Sequence, residues 1–108
     1  MKKDNSHLPR VAFSILLALS LKERHGYGII KQIEEDSQGK IKIGPGALYT
    51  SIRQLRETGL IKEVDAPKDS TRRYYKLTSI GIKQLNAELA YYQNALQLAK
   101  RRHVLNAI

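Results

Sequence analysis

The segment from residue 45 to residue 77 constrains this chain more than any other. Pro45 opens a run in which Leu48, Ile52 and Leu55 fall at i, i+4 and i+7, one apolar face of a helix. Proline suits a first helical turn, where its missing N–H has no helical partner. Thr58-Gly59 stops the run. Leu60–Val64 and Arg72–Leu77 then read as strands, joined by the polar, turn-rich Ala66-Pro67-Lys68-Asp69-Ser70-Thr71. A helix with a hairpin directly behind it cannot bury its own stripe. The rest of the chain must supply a core for it.

The residues before it do so. From Leu8 to Leu21 the chain is apolar on nearly every side, with Val11, Phe13, Ile15, Leu16, Leu17, Leu19 and Leu21. A helix apolar all round is buried or shared with a partner. Pro9 falls in its first turn. Gly26 and Gly28 punctuate the next turn, and His25 before them reads as a turn or helix-end residue. A second helix is expected over about Tyr27–Ser37, ended by Gln38-Gly39. Ile41 and Ile43 alternate with Lys40 and Lys42, as in a short strand or an extended linker. Residues 1–7 are polar and expected to fray.

Thr78 is placed to cap a long last helix through its hydroxyl. Gly81 in the first turn is expected to weaken that helix slightly. Ile82, Leu85, Leu89, Tyr92, Leu96 and Ala99 follow at spacings of 3, 4, 3, 4 and 3, a heptad seam. From Ser79 to His103 the rod would span roughly 37 Å at 1.5 Å per residue, more than a small domain can cover. The seam calls for its own copy in a dimer, for the first helix, or for both.

Three helices and then a hairpin is the order of a winged helix-turn-helix. The fold class expected is mainly α with a small β-hairpin, plus a long C-terminal dimerisation helix. Residues 1–78 would form the DNA-binding unit and residues 79–108 the dimerisation helix. In such a unit the third helix enters the major groove, and the hairpin touches the backbone or minor groove.

Charge supports a polyanionic partner. The 108 residues carry a formal net charge of +9 and a pI of about 9.9, which favours nucleic acid or an anionic membrane. Residues 40–76 hold nine lysines and arginines against four acids, a net +5 in about a third of the length. There are no cysteines, which excludes disulfides and thiolate metal sites. His7, His25 and His103 are far apart, with no ordered nucleophile or carboxylate near them and no glycine-rich phosphate loop. An enzyme, a metal sensor and a cofactor-binding protein are therefore all disfavoured. No apolar run approaches the roughly 20 residues of a membrane span. Val11–Leu21 is followed by Lys22-Glu23-Arg24-His25, not by a small-residue cleavage site, so a cytoplasmic protein is expected. Lys100-Arg101-Arg102 on an amphipathic helix could suit a membrane surface, but the narrow seam fits another helix better.

The exposed positions expected on the helix at 45–58 are Gly46, Ala47, Tyr49, Thr50, Ser51, Arg53, Gln54 and Arg56. The small residues let the backbone approach DNA. Tyr49, Thr50 and Ser51 can donate to phosphates, and Arg53 and Gln54 match guanine and adenine edges. Lys42 and the basic wing at 64–76, with Lys68, Arg72, Arg73 and Lys76, add charge. Strand alternation places Arg73, Tyr75 and Leu77 on one face and Arg72, Tyr74 and Lys76 on the outward one. Phe13, Ile82, Leu85, Leu89, Tyr92, Leu96 and Ala99 are the expected dimer contacts. The other reading left open is a winged helix used only for protein contacts, without sequence-specific DNA binding.

Four ordered motifs carry a resemblance. They are Gly26-Tyr27-Gly28-Ile29-Ile30, Gly46-Ala47-Leu48-Tyr49-Thr50-Ser51-Ile52-Arg53-Gln54-Leu55, Gly59-Leu60-Ile61 and Arg72-Arg73-Tyr74-Tyr75-Lys76-Leu77-Thr78-Ser79-Ile80-Gly81. Over roughly residues 8–103 the chain resembles the PadR family of bacterial transcriptional regulators. The resemblance implies a winged helix-turn-helix on double-stranded DNA, a homodimer through the C-terminal helix, and repression often relieved by a small-molecule effector. It matches Tyr49 to the recognition-helix tyrosine, with Gly46 and Leu48 beside it, and Arg72 and Tyr75 to the second wing strand. Ala47 stands where the family usually has Thr or Ser, and Thr50 where it often has Pro, which bears on affinity and operator choice more than on fold. The short last helix is similar to that of members lacking a large C-terminal domain. Some relatives hold flat aromatic drugs between subunits with tryptophan. This chain has none, and Phe13, Tyr91 and Tyr92 are the aromatics left to line such a pore.

Overall fold

The computed structural model describes residues 8–104. The elements run α1 (Arg10–Leu19), β1 (Arg24–His25), α2 (Gly26–Asp36), α3 (Pro45–Glu57), β2 (Ile61–Val64), β3 (Tyr74–Leu77) and α4 (Ser79–Arg101). The polar residues 1–7 lie outside the described part, as do residues 105–108.

α1 is the centre of the core. Ile15, Leu16 and Ala18 are fully buried, and Ala12, Ser14 and Leu19 nearly so. α2, α3, α4 and β3 all pack against α1, which is why its sequence lacks a polar face. α2 contributes Ile29 and Ile33, and α3 contributes Leu48, Ile52 and Leu55, all buried. The i, i+4, i+7 stripe of α3 is thus its core face. Truncating a side chain as enclosed as Leu48 costs about 2–5 kcal/mol.

The sheet has three strands in the order β1-β3-β2, all antiparallel, one more than the hairpin expected from sequence. β2 pairs with β3 from Ile61↔Leu77 to Val64↔Tyr74. β1 adds Arg24↔Tyr75 and His25↔Tyr74 on the other edge. Two residues are too few to show a period of two, and their partner lies about fifty positions away. Ile41 and Ile43 pack against the core from an extended linker that forms no strand. Gly26, expected in a turn, is the first residue of α2, because His25 in extended conformation caps the helix there.

The start of α4 is fastened to the α3–β2 junction. Leu60 N–H donates to Leu55 O and Gly59 N–H to Arg56 O, closing α3. The Thr78 hydroxyl donates to Gly59 O at 2.6 Å and accepts the Gly81 N–H at 3.0 Å. Thr78 N–H donates to Leu60 O. A Cβ at Gly81 would run into that same Leu60 carbonyl oxygen. The glycine expected to weaken the helix is instead what lets it dock. Further along, Leu85 and Glu88 are buried. The Glu88 carboxylate accepts from the Leu8 N–H at 3.3 Å and the Tyr92 hydroxyl at 3.1 Å. The first half of α4 therefore belongs to the same core as α1. Its second half is largely exposed, and the molecule measures 53 Å along its long axis.

Candidate nucleic-acid interface

α3 turns two different faces to core and solvent. Leu48, Ile52 and Leu55 anchor it, while Gly46, Ala47, Tyr49, Thr50, Arg53 and Gln54 are exposed and Ser51 is half-buried. Gly46, in the first turn, has no side chain to hold a neighbouring surface away, and nothing lies within 4 Å of where its Cβ would be. Lys42 is exposed on the linker just before it. The tyrosine hydroxyl of Tyr49 lies against Gly26, where a Cβ would collide with it, so the first turn of α3 meets the first turn of α2.

The wing adds cations beside this face. Lys68, Arg72 and Arg73 are exposed. β3 begins only at Tyr74, so the alternation expected from Arg72 onward does not extend to the two arginines. Arg72 and Arg73 both line a cleft of about 340 Å³ together with His25, Tyr27 and Tyr49. Arg72 Nη1 lies 3.0 Å from His25 Nε2. Tyr74 leans edge-on against the His25 ring, with centroids 5.2 Å apart. Tyr75 is buried, and burial, ahead of the nearby Glu63, raises its pKa. Lys76 on β3 sits 3.9 Å from Glu23, and both line a cleft toward α4 with Ile82 and Leu89. Arg56 is 3.6 Å from Glu63 of β2, an exposed pair that contributes little to stability.

His25 is the residue that sequence reasoning undervalued. It caps α2 by accepting the Gly28 N–H at Nδ1, 3.0 Å away, as a helix-end residue should. Its contact with Arg72 spans 47 positions and leaves no local signal. Burial first, then the Arg72 and Arg24 cations, lower its pKa below the ordinary 6.5.

The seam on α4 divides. Leu85 is only 5% exposed and lies in the chain's own core, whereas Leu89 is 39% exposed. Ile82, Tyr92 and Leu96 are exposed and Ala99 is half-buried. Phe13 on α1 meets Tyr92 edge-on at 5.3 Å, and Tyr91 stacks edge-on beside Tyr92 at 5.6 Å. A cleft of about 650 Å³ opens next to them, lined by Phe13, Leu17, Ile33, Ile41 and Tyr92 among others. Among the described residues no helix is long and apolar enough to cross a membrane.

A helix presented on a three-helix core, with a basic wing at its side, defines a winged helix-turn-helix protein. The chain belongs to the PadR-like family of transcriptional regulators, whose family model matches residues 15–87. Members of that family are regulators of transcription, not enzymes. A PadR family transcription regulator from Clostridium difficile has a similar structure, with a TM-score of 0.75 at 23% identity over 86% of this chain and 97% of that one. A transcriptional regulator from Clostridium thermocellum gives 0.72 at 25% identity, over 84% and 87%. Bacillus subtilis PadR in complex with operator DNA gives 0.66 at 22%, over 75% of this chain and 47% of that one. An uncharacterised protein of Lysinibacillus sphaericus is 32% identical over 71 residues, 63% of this chain and 65% of that protein, so the chain spans just under two thirds of its length.

Proposed function

We propose that this protein is a homodimeric operator-binding repressor of the cytoplasm, with α3 in the major groove and the wing on the backbone. The observation that carries this reading is the exposed, small and polar face of α3 beside Arg72 and Arg73. Gly46, Ala47, Tyr49, Thr50 and Ser51 seat the helix. Arg53 and Gln54, neighbours about two turns into the helix and both on its exposed side, are the base readers. Lys42, Lys68, Arg72 and Arg73 meet phosphates. Bacillus subtilis PadR, which shares the fold, is known in complex with operator DNA. The exposed half of α4 supplies the dimer contact, through Leu89, Tyr92 and Leu96. The cleft beside Phe13 and Tyr92 is where a small apolar effector would act on that contact.

The test is duplex binding across a salt series, using DNA from around the protein's own gene. Log affinity should fall linearly with log salt, by about 0.9 per phosphate neutralised. Arg53→Ala and Gln54→Ala should each relax preference at one or two base pairs, by about 1–3 kcal/mol. A flat salt response would favour the protein-contact reading. Equal weakening on all sequences would move Arg53 and Gln54 to the backbone.

A further inference from the structure

Two hydrogen-bond donors meet the His25 ring, one at each nitrogen. The Gly28 N–H takes Nδ1 as its acceptor, and a neutral imidazole has one acceptor nitrogen and one N–H. The proton therefore sits on Nε2. Arg72 Nη1 lies 3.0 Å from that nitrogen, and a guanidinium only donates. The other tautomer moves the conflict to the Gly28 N–H and removes the cap of α2. No tautomer of the neutral ring satisfies both neighbours, and protonation of the ring would add a second cation beside Arg72. An anionic oxygen placed between Nε2–H and the guanidinium satisfies both.

The surroundings fit such an oxygen. The cleft beside the pair is bordered by Tyr27, Tyr49 and Arg73 and contains no carboxylate in its lining. Arg24 on β1 adds a further cation near the ring. Glu23 lines a separate cleft with His25 and Tyr74, and its carboxylate lies 3.9 Å from the Lys76 ammonium. Tyr74 closes one flank of the ring edge-on. Tyr49 belongs to the exposed first turns of α3, so the cleft opens beside the element that would enter the groove.

We propose that His25 and Arg72 together form a clamp for one DNA backbone phosphate, the imidazole Nε2–H and the guanidinium each donating to its non-bridging oxygens. This rests on the DNA-binding reading above and adds His25 to the interface. The clamp fixes the wing relative to α2, because one residue caps the helix and the other leads into β3. It carries no sequence information, as expected of a backbone contact.

His25→Asn separates the two roles of the histidine. Asparagine is a good N-cap but is too short to donate alongside Arg72. Duplex affinity of the full-length protein would be measured for the wild type, His25→Asn, Arg72→Gln and the double variant, with circular dichroism confirming the fold. His25→Asn should weaken operator and random duplex alike, by about tenfold. Arg72→Gln should lower the salt slope by about 0.9. The double variant should lose less than the product of the single losses. Affinity unchanged in His25→Asn, or strictly multiplicative losses, would overturn the clamp while leaving DNA binding intact. A wild type that binds no duplex at all would overturn the DNA reading and the clamp with it. Inorganic phosphate should displace duplex better than chloride at equal ionic strength in the wild type but not in His25→Asn; phosphate that binds at His25 without displacing duplex would assign the site to free phosphate and overturn its DNA assignment.

Discussion

At the scale of single residues, Gly81 does what its type alone would not suggest. In an exposed helix interior, alanine in place of glycine gains up to about 1 kcal/mol. Here the added methyl meets the Leu60 carbonyl, which is backbone already accepting from Thr78 and cannot swing aside. Forced overpacking of this kind costs about 1–3 kcal/mol. Gly81→Ala should therefore be a net loss, read as a lower denaturant midpoint with an unchanged slope. His25 gives a second expectation. Its folded-state pKa lies below 6.5, so the unfolded chain binds the proton first. Its contribution is fully present above about pH 6.5 and is lost as the pH falls from there toward the folded-state pKa. The melting temperature should drop between pH 7.5 and 5.5 more steeply for the wild type than for His25→Asn, and above about pH 7.5 the gap between the two should no longer change with pH.

At the scale of elements, α4 is half core and half surface, and that decides where its partner contact can be tested. Replacing Leu85 would damage the chain's own interior, since only 5% of it is exposed. Leu89, one turn on and 39% exposed, can be changed without opening the core. Leu89→Glu should keep the circular dichroism and melting behaviour of a folded chain while light scattering falls to the monomer mass. A dimer that survives the change places the interface elsewhere, with Phe13 and α1 the next element to probe. α3 and α4 were legible because an apolar stripe at helical spacing is a local signal: Leu48, Ile52 and Leu55 sit in the core as their spacing implies. The seam spacing could not show that Leu85 turns inward, because that depends on where α4 docks. β1 and the meeting of His25 with Arg72 were not legible, because each depends on chain segments 47 or more positions apart. The charge of Lys76 was visible but not its pairing with Glu23.

At the scale of the whole molecule, the proposed dimer makes a prediction about DNA geometry. Each copy offers one α3, and a twofold axis through the α4 contact would present two of them to the same side of a duplex. Major grooves face one side every 34–36 Å, or about 10–10.5 base pairs, so the operator should be an inverted repeat with half-sites at that spacing or a multiple of it. Inserting five base pairs at the centre rotates one half-site by about half a turn, away from its helix. Affinity should then fall to that of an isolated half-site, while an insertion of ten base pairs keeps both half-sites on one face and tests how far the exposed half of α4 lets the two copies separate. Leu89→Glu supplies the control: if the seam joins the copies, its affinity for the full operator should already equal the half-site value and should not respond to the five-base-pair insertion. Binding by the wild type that ignores the five-base-pair insertion would mean that each chain reads DNA alone, and the role assigned to α4 would have to be withdrawn.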